Sequence, residues 1–324
     1  MRQLVVSVDT EEEGLWGGAY KIKGNTTENL RGLDRFQASC ERLQVAPTYL
    51  IDAPVLDDRQ AIESLSRWQR QGVCEVGSHC HPWCNPPLPD HSPTSAETYL
   101  CNLPRETQFQ KLQWLTQRIA DQLGRSPTSY RAGRYGFDST TAVILEELGY
   151  RVDSSVLPVH DYRDVGGPDF RLADRIPKRF LGDCGNLIEI PITAGFTCPG
   201  FRWRRALWMQ LRRKPWSIVR AAGVADRLGF ARRVKLCPEG SRFEDLRGLI
   251  DSTVAEGIET LVLMLHSSSL IAGLSPYTKT ENMLEILYSC LTASIRHAID
   301  VHHFSPKTLT EVASTFSANG PIRS

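Results

Sequence analysis

Five stretches of this chain carry side chains whose types and spacing can do chemistry. The first is Ser7-Val8-Asp9-Thr10-Glu11. Side chains alternate across a strand, so Asp9 and Glu11 share a face with Ser7. Two carboxylates on one face can divide labour, one holding a cation and the other accepting a proton. Taken singly, the run Asp9-Thr10-Glu11-Glu12-Glu13 reads equally as a solvated acidic loop. The second stretch, Glu75-Val76-Gly77-Ser78-His79-Cys80-His81-Pro82-Trp83, puts His79 and His81 on one face and Cys80 on the other. Neutral imidazoles two apart at a strand end suit zinc and similar ions. Competing readings are a pair of packed or surface histidines, and a structural zinc knot of Cys74, Cys80, Cys84 and a histidine, whose spacing matches no standard pattern. In Tyr130-Arg131-Ala132-Gly133-Arg134-Tyr135-Gly136, Arg131 can hold a carboxylate in its charged state through a bidentate bond. Asp153, in Tyr150-Arg151-Val152-Asp153-Ser154-Ser155, can orient a histidine or cap a helix. His266 ends an apolar run and can give a proton to a leaving amine, or it is a satisfied core histidine. Ser267, Ser268 and Ser269 follow it, but no Gly-x-Ser-x-Gly elbow supports a serine nucleophile. Each stretch alone is weak; the mundane readings would have to hold independently at every one.

The elements that must position these residues follow from hydrophobic patterning. Short β-rich runs at 4–8, 47–51, 73–79, 129–131, 150–153, 187–192 and 261–266 alternate with helical stretches at 28–43, 54–70, 106–123 and 139–148. Gly72, Gly124 and Gly149 stand where helices should stop. Alternating β and α with near-continuous apolar strands predicts a parallel sheet with helical cover. Seven candidate strands favour a closed barrel over an open doubly wound sheet, and in a parallel barrel the C-terminal strand ends collect on one rim. The glycines form no dinucleotide-binding fingerprint.

With 324 residues and 41% hydrophobic content the chain can bury one large core, read here as a single barrel domain over 1–324. A net charge of +1 gives no overall bias toward nucleic acid, and no nucleic-acid partner is expected. Nine cysteines without a regular framework predict free thiols in a reducing compartment. The N-terminal apolar run is too short for a signal peptide, and no stretch reaches the length of a membrane span, so a cytoplasmic protein is expected. The segment 195–240 departs from the rest: a basic, tryptophan-containing insertion is expected there, between the sixth and seventh strands. Its cations Arg204, Arg205, Arg212 and Arg213, with Trp208, can contact an anionic ligand or the inner face of a membrane, or form a solvated helical surface.

The stretches in this order resemble the NodB-homology polysaccharide deacetylases, carbohydrate esterase family four. The resemblance runs from Val5 to about Val312, apart from 195–240. It implies a distorted (β/α)7 barrel of parallel strands holding one divalent cation, with zinc as first choice and manganese or cobalt next. It further implies removal of an N-acyl group, acetyl or formyl, from an amino sugar, free or lipid-linked, in polysaccharide or glycolipid assembly. The roles it implies are Glu11, His79 and His81 as metal ligands, Asp9 as base kept ionised by Arg131, and His266 as acid oriented by Asp153. Thr10 stands where the family usually has a second aspartate, and the histidines are two apart instead of the usual four. The roles of Asp9 and Glu11 can therefore be exchanged. A carbohydrate-binding module on a decayed deacetylase and an allantoinase-like C–N hydrolase are the alternative readings.

Overall fold

The structure, a computed structural model, describes residues 1–18, 20–180, 185–212 and 232–318. Strand β1 (Gln3–Thr10) is buried along its whole length and lies between two parallel neighbours. On one side it pairs in parallel with β2 (Thr48–Ile51), followed by β3 (Glu75–Cys80), β4 (Ser129–Ala132) and β5 (Val152–Asp153). Two-residue β6 (Lys178–Arg179) runs antiparallel at the far edge against β7 (Ile188–Glu189), which pairs in parallel with β5. A hairpin of β8 (Ala194–Phe196) and β9 (Arg233–Lys235) precedes β10 (Thr260–His266), which lies parallel to β1 on its other side. The short β11 (Ser305–Pro306) also joins the start of β1. The order β10-β1-β2-β3-β4-β5-β7 contains all seven expected strands, every neighbouring pair parallel, in a curled sheet of the expected (β/α)7 kind.

Helices α1 (Leu33–Arg42), α2 (Arg59–Gln71), α3 (Arg105–Leu123) and α4 (Ser139–Glu147) alternate with the first strands. The expected helix at 54–70 divides. Pro54 opens a 3-10 turn, and the Asp58 side chain then caps a fresh α-helix by accepting from the Ala61 amide. The helix at 28–43 divides at Gly32, where an added Cβ would meet Leu270 at 2.7 Å. Gly72 ends α2 in the left-handed region, φ 73°.

The sheet closes irregularly. Among the described residues, no regular ladder joins β7 to β10. The Thr193 amide donates to Val262 O (3.2 Å), the Val262 amide to Thr193 Oγ1 (2.8 Å), the Leu236 amide to Thr193 O (2.8 Å) and the Met264 amide to Leu236 O (3.1 Å). The flanks of the expected insertion thus form part of the wall. Helix α5 (Phe201–Leu211) rises from the hairpin and is docked on it, with Phe201 packed edge-on to Phe196 and its first amides bonded to Glu256. The expectation for Trp208 is overturned. Its indole is 5% exposed, with Arg212 and Arg233 over its ring at 5.1 and 4.7 Å, so it cannot settle at a membrane surface. Arg204 bonds Pro199 O, Arg212 pairs weakly with Asp164, Arg205 is half-buried, and Arg213 lies outside the described residues. Helices α6 (Phe243–Ala255), α7 (Glu281–Arg296) and α8 (Leu309–Ala318) complete the cover. Among the described residues no helix is long and apolar enough to cross a membrane.

Close approach of β3 to its neighbours depends on Gly77. A Cβ there would stand 2.7 Å from Leu50 Cδ2 and 2.7 Å from Ser129 O. Gly77→Ala should cost about 1–3 kcal/mol through overpacking. At roughly 2–4 °C per kcal/mol, a thermal melt should show a clear drop. An unchanged melting point would mean that the sheet relaxes freely at this contact.

Candidate metal centre and active-site cleft

Strand register delivers the functional side chains to one rim. Asp9 on β1 lies opposite His266 on β10, His79 on β3 lies opposite Arg131 on β4, and Tyr130 lies opposite Asp153 on β5. Glu11 and His81 follow just past the ends of β1 and β3. Asp9, Glu11, His79, His81 and His266 line one open cleft of about 140 Å³, walled by Leu15, Trp16, Tyr20, Trp83, Arg134 and Tyr135.

Glu11, His79 and His81 converge. Glu11 Oε2 is 3.3 Å from Nε2 of each histidine. A tetrahedral shell with metal–ligand bonds of about 2.0–2.1 Å has edges of about 3.3 Å, so Glu11 already stands at coordination spacing from each histidine, and the three ligand atoms lie within 4.8 Å of one another. The tautomers agree. His79 Nδ1 lies 2.9 Å from Arg131 O, and His81 Nδ1 lies 2.7 Å from Glu12 Oε2. A carbonyl and a carboxylate can only accept, so each Nδ1 carries the proton and each Nε2 can offer a lone pair to a cation. The donor set of one carboxylate and two imidazoles suits zinc and its neighbours. Glu12 and Glu11 flank His81 and, against its burial, favour its charged form well above the usual imidazole range. A cation at Nε2 therefore competes with a proton, and binding should tighten as pH rises. The backbone of Glu11 is fixed by Ser267 Oγ, which accepts from its amide at 3.1 Å, and by Asn29 Nδ2, which donates to its carbonyl at 2.8 Å.

A second layer holds His81. Glu12 accepts from Trp83 Nε1 at 2.8 Å, and Asp52 accepts from the Glu12 and Val55 amides, each at 3.1 Å. Glu12, Asp52, His81 and Cys84 also lie close enough to suggest a cation site of their own. Their acceptor positions are already filled by N–H donors, and burial raises the Cys84 thiol further from its thiolate form. Burial pushes Asp52 well up, whereas His81, Asp52 and Trp83 overcome burial to keep Glu12 ionised. This cluster serves the Glu11 corner from outside. The cysteine knot is not formed: among the described residues no ligand group combines Cys74, Cys80 and Cys84, and burial raises Cys74 and Cys80 to about 12. Gly133 leaves the space that His81 uses, since an added Cβ would lie 2.6 Å from Cys80 O and nearer still to the His81 ring.

Asp9 is the interior carboxylate. Burial alone would raise its pKa, but Arg131, His79 and His266 bring it to about 2. Arg131 Nη1 donates to Asp9 Oδ1 at 2.6 Å, and Nη2 donates to Ser7 Oγ at 3.0 Å. Across the space from Asp9, His266 Nε2 lies 4.0 Å from Asp9 Oδ2. The orienter of His266 is Glu239: its Oε1 accepts from the His266 amide at 2.9 Å and its Oε2 from Nδ1 at 2.8 Å. Burial would lower His266, but Glu239, Glu11 and Asp9 raise it to about 9.

The role expected for Asp153 is thereby corrected. Asp153 accepts from the Ser155 amide (2.9 Å) and Ser155 Oγ (2.6 Å), and is fully buried outside the lining of the cleft. That turn supports Arg131, whose Nε donates to Ser154 O at 2.8 Å and Nη2 to Ser154 Oγ at 3.1 Å. Burial pushes Asp153 up and, with the charge of Asp153, pushes Glu189 further. The serines after β10 are braces: Ser267 holds Glu11, and Ser268 accepts from Trp16 Nε1 at 3.1 Å.

Glu12, Asp52 and Glu239 were not singled out in the sequence. Asp52 had a usable signal, since it follows the end of β2 and strand ends collect at the rim. Glu12 lay in view within the acidic run, but strand alternation assigned it to the opposite face. Glu239 has no periodic signal.

The backbone is strained at the cleft. Arg134 and Tyr135 both adopt positive φ, 53° and 62°, rare for residues with side chains. The turn places Tyr135 against the cleft and stacks the Arg134 guanidinium over Tyr20 and Tyr99, at 5.0 and 4.2 Å.

No family model matches the chain. No curated protein matches it either. Solved structures do. A protein from Mycobacterium smegmatis assigned as a polysaccharide deacetylase superposes with TM-score 0.59 at 13% identity, over 99% of this chain and 92% of its own. A probable polysaccharide deacetylase from Pseudomonas aeruginosa PAO1 gives 0.58 at 15%, with the same coverage of 99% and 92%. The PuuE allantoinase gives 0.54 at 12%, over 99% and 92%. At such identities the likeness establishes the fold: this chain has the NodB-like polysaccharide-deacetylase architecture.

Glu12 supplies a test of the second layer. Glu12→Gln keeps the shape but removes the charge behind His81 Nδ1. It should weaken divalent-cation binding by about 10–100-fold, measured by competition with a chromophoric chelator. Unaltered affinity would remove Glu12 from any role in the cation site.

Proposed function

We propose that this protein is a metal-dependent hydrolase that removes an N-acyl group, acetyl or formyl, from an amino sugar. The reading rests above all on the Glu11–His79–His81 corner, at coordination spacing, facing Asp9 and His266 across one cleft. A divalent cation bound by Glu11, His79 and His81 would supply Lewis-acid polarisation of the acyl carbonyl and lower the pKa of the attacking water.

The chain's own residues supply the rest. Asp9 accepts the water proton on Oδ2, because Oδ1 is engaged by Arg131. At about 2, Asp9 is a weak base, able to take a proton only from an acidified water, so its function depends on the cation corner beside it. His266, at about 9, is protonated at neutral pH, and the bond from Nδ1 to Glu239 directs Nε2 into the cleft. From there it protonates the departing amine. Trp16 meets the His266 ring edge-on at 5.1 Å and leaves an indole surface exposed at the cleft. Together with Tyr20 it offers ring faces suited to a sugar.

The resemblance to an allantoinase structure keeps a ring-amide hydrolase as the second reading. A panel of N-acetyl and N-formyl amino sugars, free, polymeric and lipid-linked, with allantoin beside them, separates the two. Acetate or formate release that stops on chelation is expected. Turnover of allantoin with none of the sugars would move the assignment to the ring amide.

Roles within the site are open to direct test. Asp9→Asn should reduce turnover by about 10²–10⁴-fold while cation binding persists, and Glu11→Gln should do the reverse by weakening binding. Loss of the cation in Asp9→Asn with retention in Glu11→Gln would exchange their roles. The imidazolium of His266 should give wild-type activity an alkaline limb near 9. Glu239→Gln removes the charge that stabilises the imidazolium, so that limb should move to lower pH. A limb that stays in place would separate Glu239 from the acid.

A further inference from the structure

A second group of metal-type ligands lies far from the cleft. Asp251 on α6 faces His297 and His302, which follow the end of α7. Both ring Nε2 atoms stand 2.6 Å from the same oxygen, Asp251 Oδ1. The rings meet edge to face at 5.0 Å.

The backbone makes this meeting possible. Residues five apart on an α-helix point about 140° away from one another. Here His297–Val301 forms a π-helical turn, whose wider winding brings His297 and His302 to one side. Such single turns recur at functional sites. Arg2 Nη1 donates to His302 O at 2.9 Å, which ties the second ring's backbone to the start of β1. Phe243 on α6 meets His297 edge-on at 6.2 Å. The cluster therefore sits at the N-terminal end of β1, whereas Asp9 lies near its other end, roughly 20 Å along the strand.

We propose that Asp251, His297 and His302 form a second site for a zinc-class divalent ion, clipping α6 to the end of α7. Two imidazole nitrogens and a carboxylate are the donor set that zinc-class ions select, and three protein ligands leave room for solvent in the remaining position. Hydrogen bonding alone would require one carboxylate oxygen to take both rings. Ligation requires each Nε2 to draw apart from Asp251 Oδ1, from 2.6 Å to about 3.3 Å. Asp251 can do so, because its side chain is 47% exposed while the two rings are held at 13% and 17%. The role of this site is structural. The elements it joins flank β10, which carries His266. It does not depend on the activity proposed for the cleft.

The test uses the untagged full-length protein, stripped by chelation and titrated with cobalt(II) by absorbance and zinc(II) by calorimetry. Wild type should bind two equivalents. Asp251→Asn and the double change His297→Gln, His302→Gln should each bind one, and so should His79→Ala, His81→Ala. Zinc should still raise the melting temperature of the His79→Ala, His81→Ala protein, and adding Asp251→Asn should abolish that rise. Wild-type stoichiometry in Asp251→Asn, or loss of all binding in His79→Ala, His81→Ala, overturns the second site. Asp251→Asn replaces a surface side chain with its isostere, so the answer stands even if the double histidine variant fails to fold. Unchanged binding in His79→Ala, His81→Ala would count against the cleft site alone.

Discussion

Everything at the cleft depends on one buried cation. Arg131 has no exposed surface, and a charge in that position survives only if its donors are satisfied. They are distributed to Asp9 Oδ1, Ser7 Oγ, Ser154 O and Ser154 Oγ. The guanidinium thereby joins β1, β4 and the turn after β5 through the interior of the barrel. Its planar fork specifies geometry as well as charge, which a lysine could not do at this place. Removing it would leave Asp9 buried without its principal counter-charge, and the carboxylate would shift toward its protonated form. Arg131 also offers its carbonyl to His79 Nδ1, so one residue sets both the charge of Asp9 and the tautomer of His79.

The sheet itself was legible in the sequence because each strand is a compact apolar run ending in a polar residue. Parallel strands buried on both faces leave that trace. The same property revealed Asp9, His79, Arg131 and His266, which mark strand ends. Legibility failed where the rule of alternation stops. Past Thr10 the chain leaves the strand, so Glu11 and Glu12 both turn inward, one toward Nε2 of His81 and the other toward Nδ1. Asp153 is at a strand end as read, but its carboxylate turns onto Ser155 instead of His266. Trp208 shows the limit of composition: interleaved arginines and tryptophans suggest a membrane face, but here the arginines cover the tryptophan.

The site also divides its carboxyl groups by environment. Asp9 and Glu239 are buried but face cations, and remain ionised. Asp52, Asp153 and Glu189 are equally buried, and there burial prevails, reinforced at Asp52 by Glu12 and at Glu189 by Asp153. Burial is common to all of them; the identity of the partner decides. Negative charge is thus concentrated at the rim, where a cation can use it, and proton-sharing pairs are left in the wall.

The irregular join between β7 and β10 bears on how such a protein can change. The cation corner stands on β1 and β3, inside the continuous ladder, where substitution disturbs the whole sheet. Glu239 stands on the far side of the join, just beyond the β8–β9 hairpin. Lengthening or rebuilding that hairpin can retune the proton held by His266, and reshape the adjacent wall, without moving a strand of the ladder. On the proposed function, the cation corner and the proton-bearing histidine are therefore separable hereditary traits in this architecture, one tied to the ladder and the other to the hairpin.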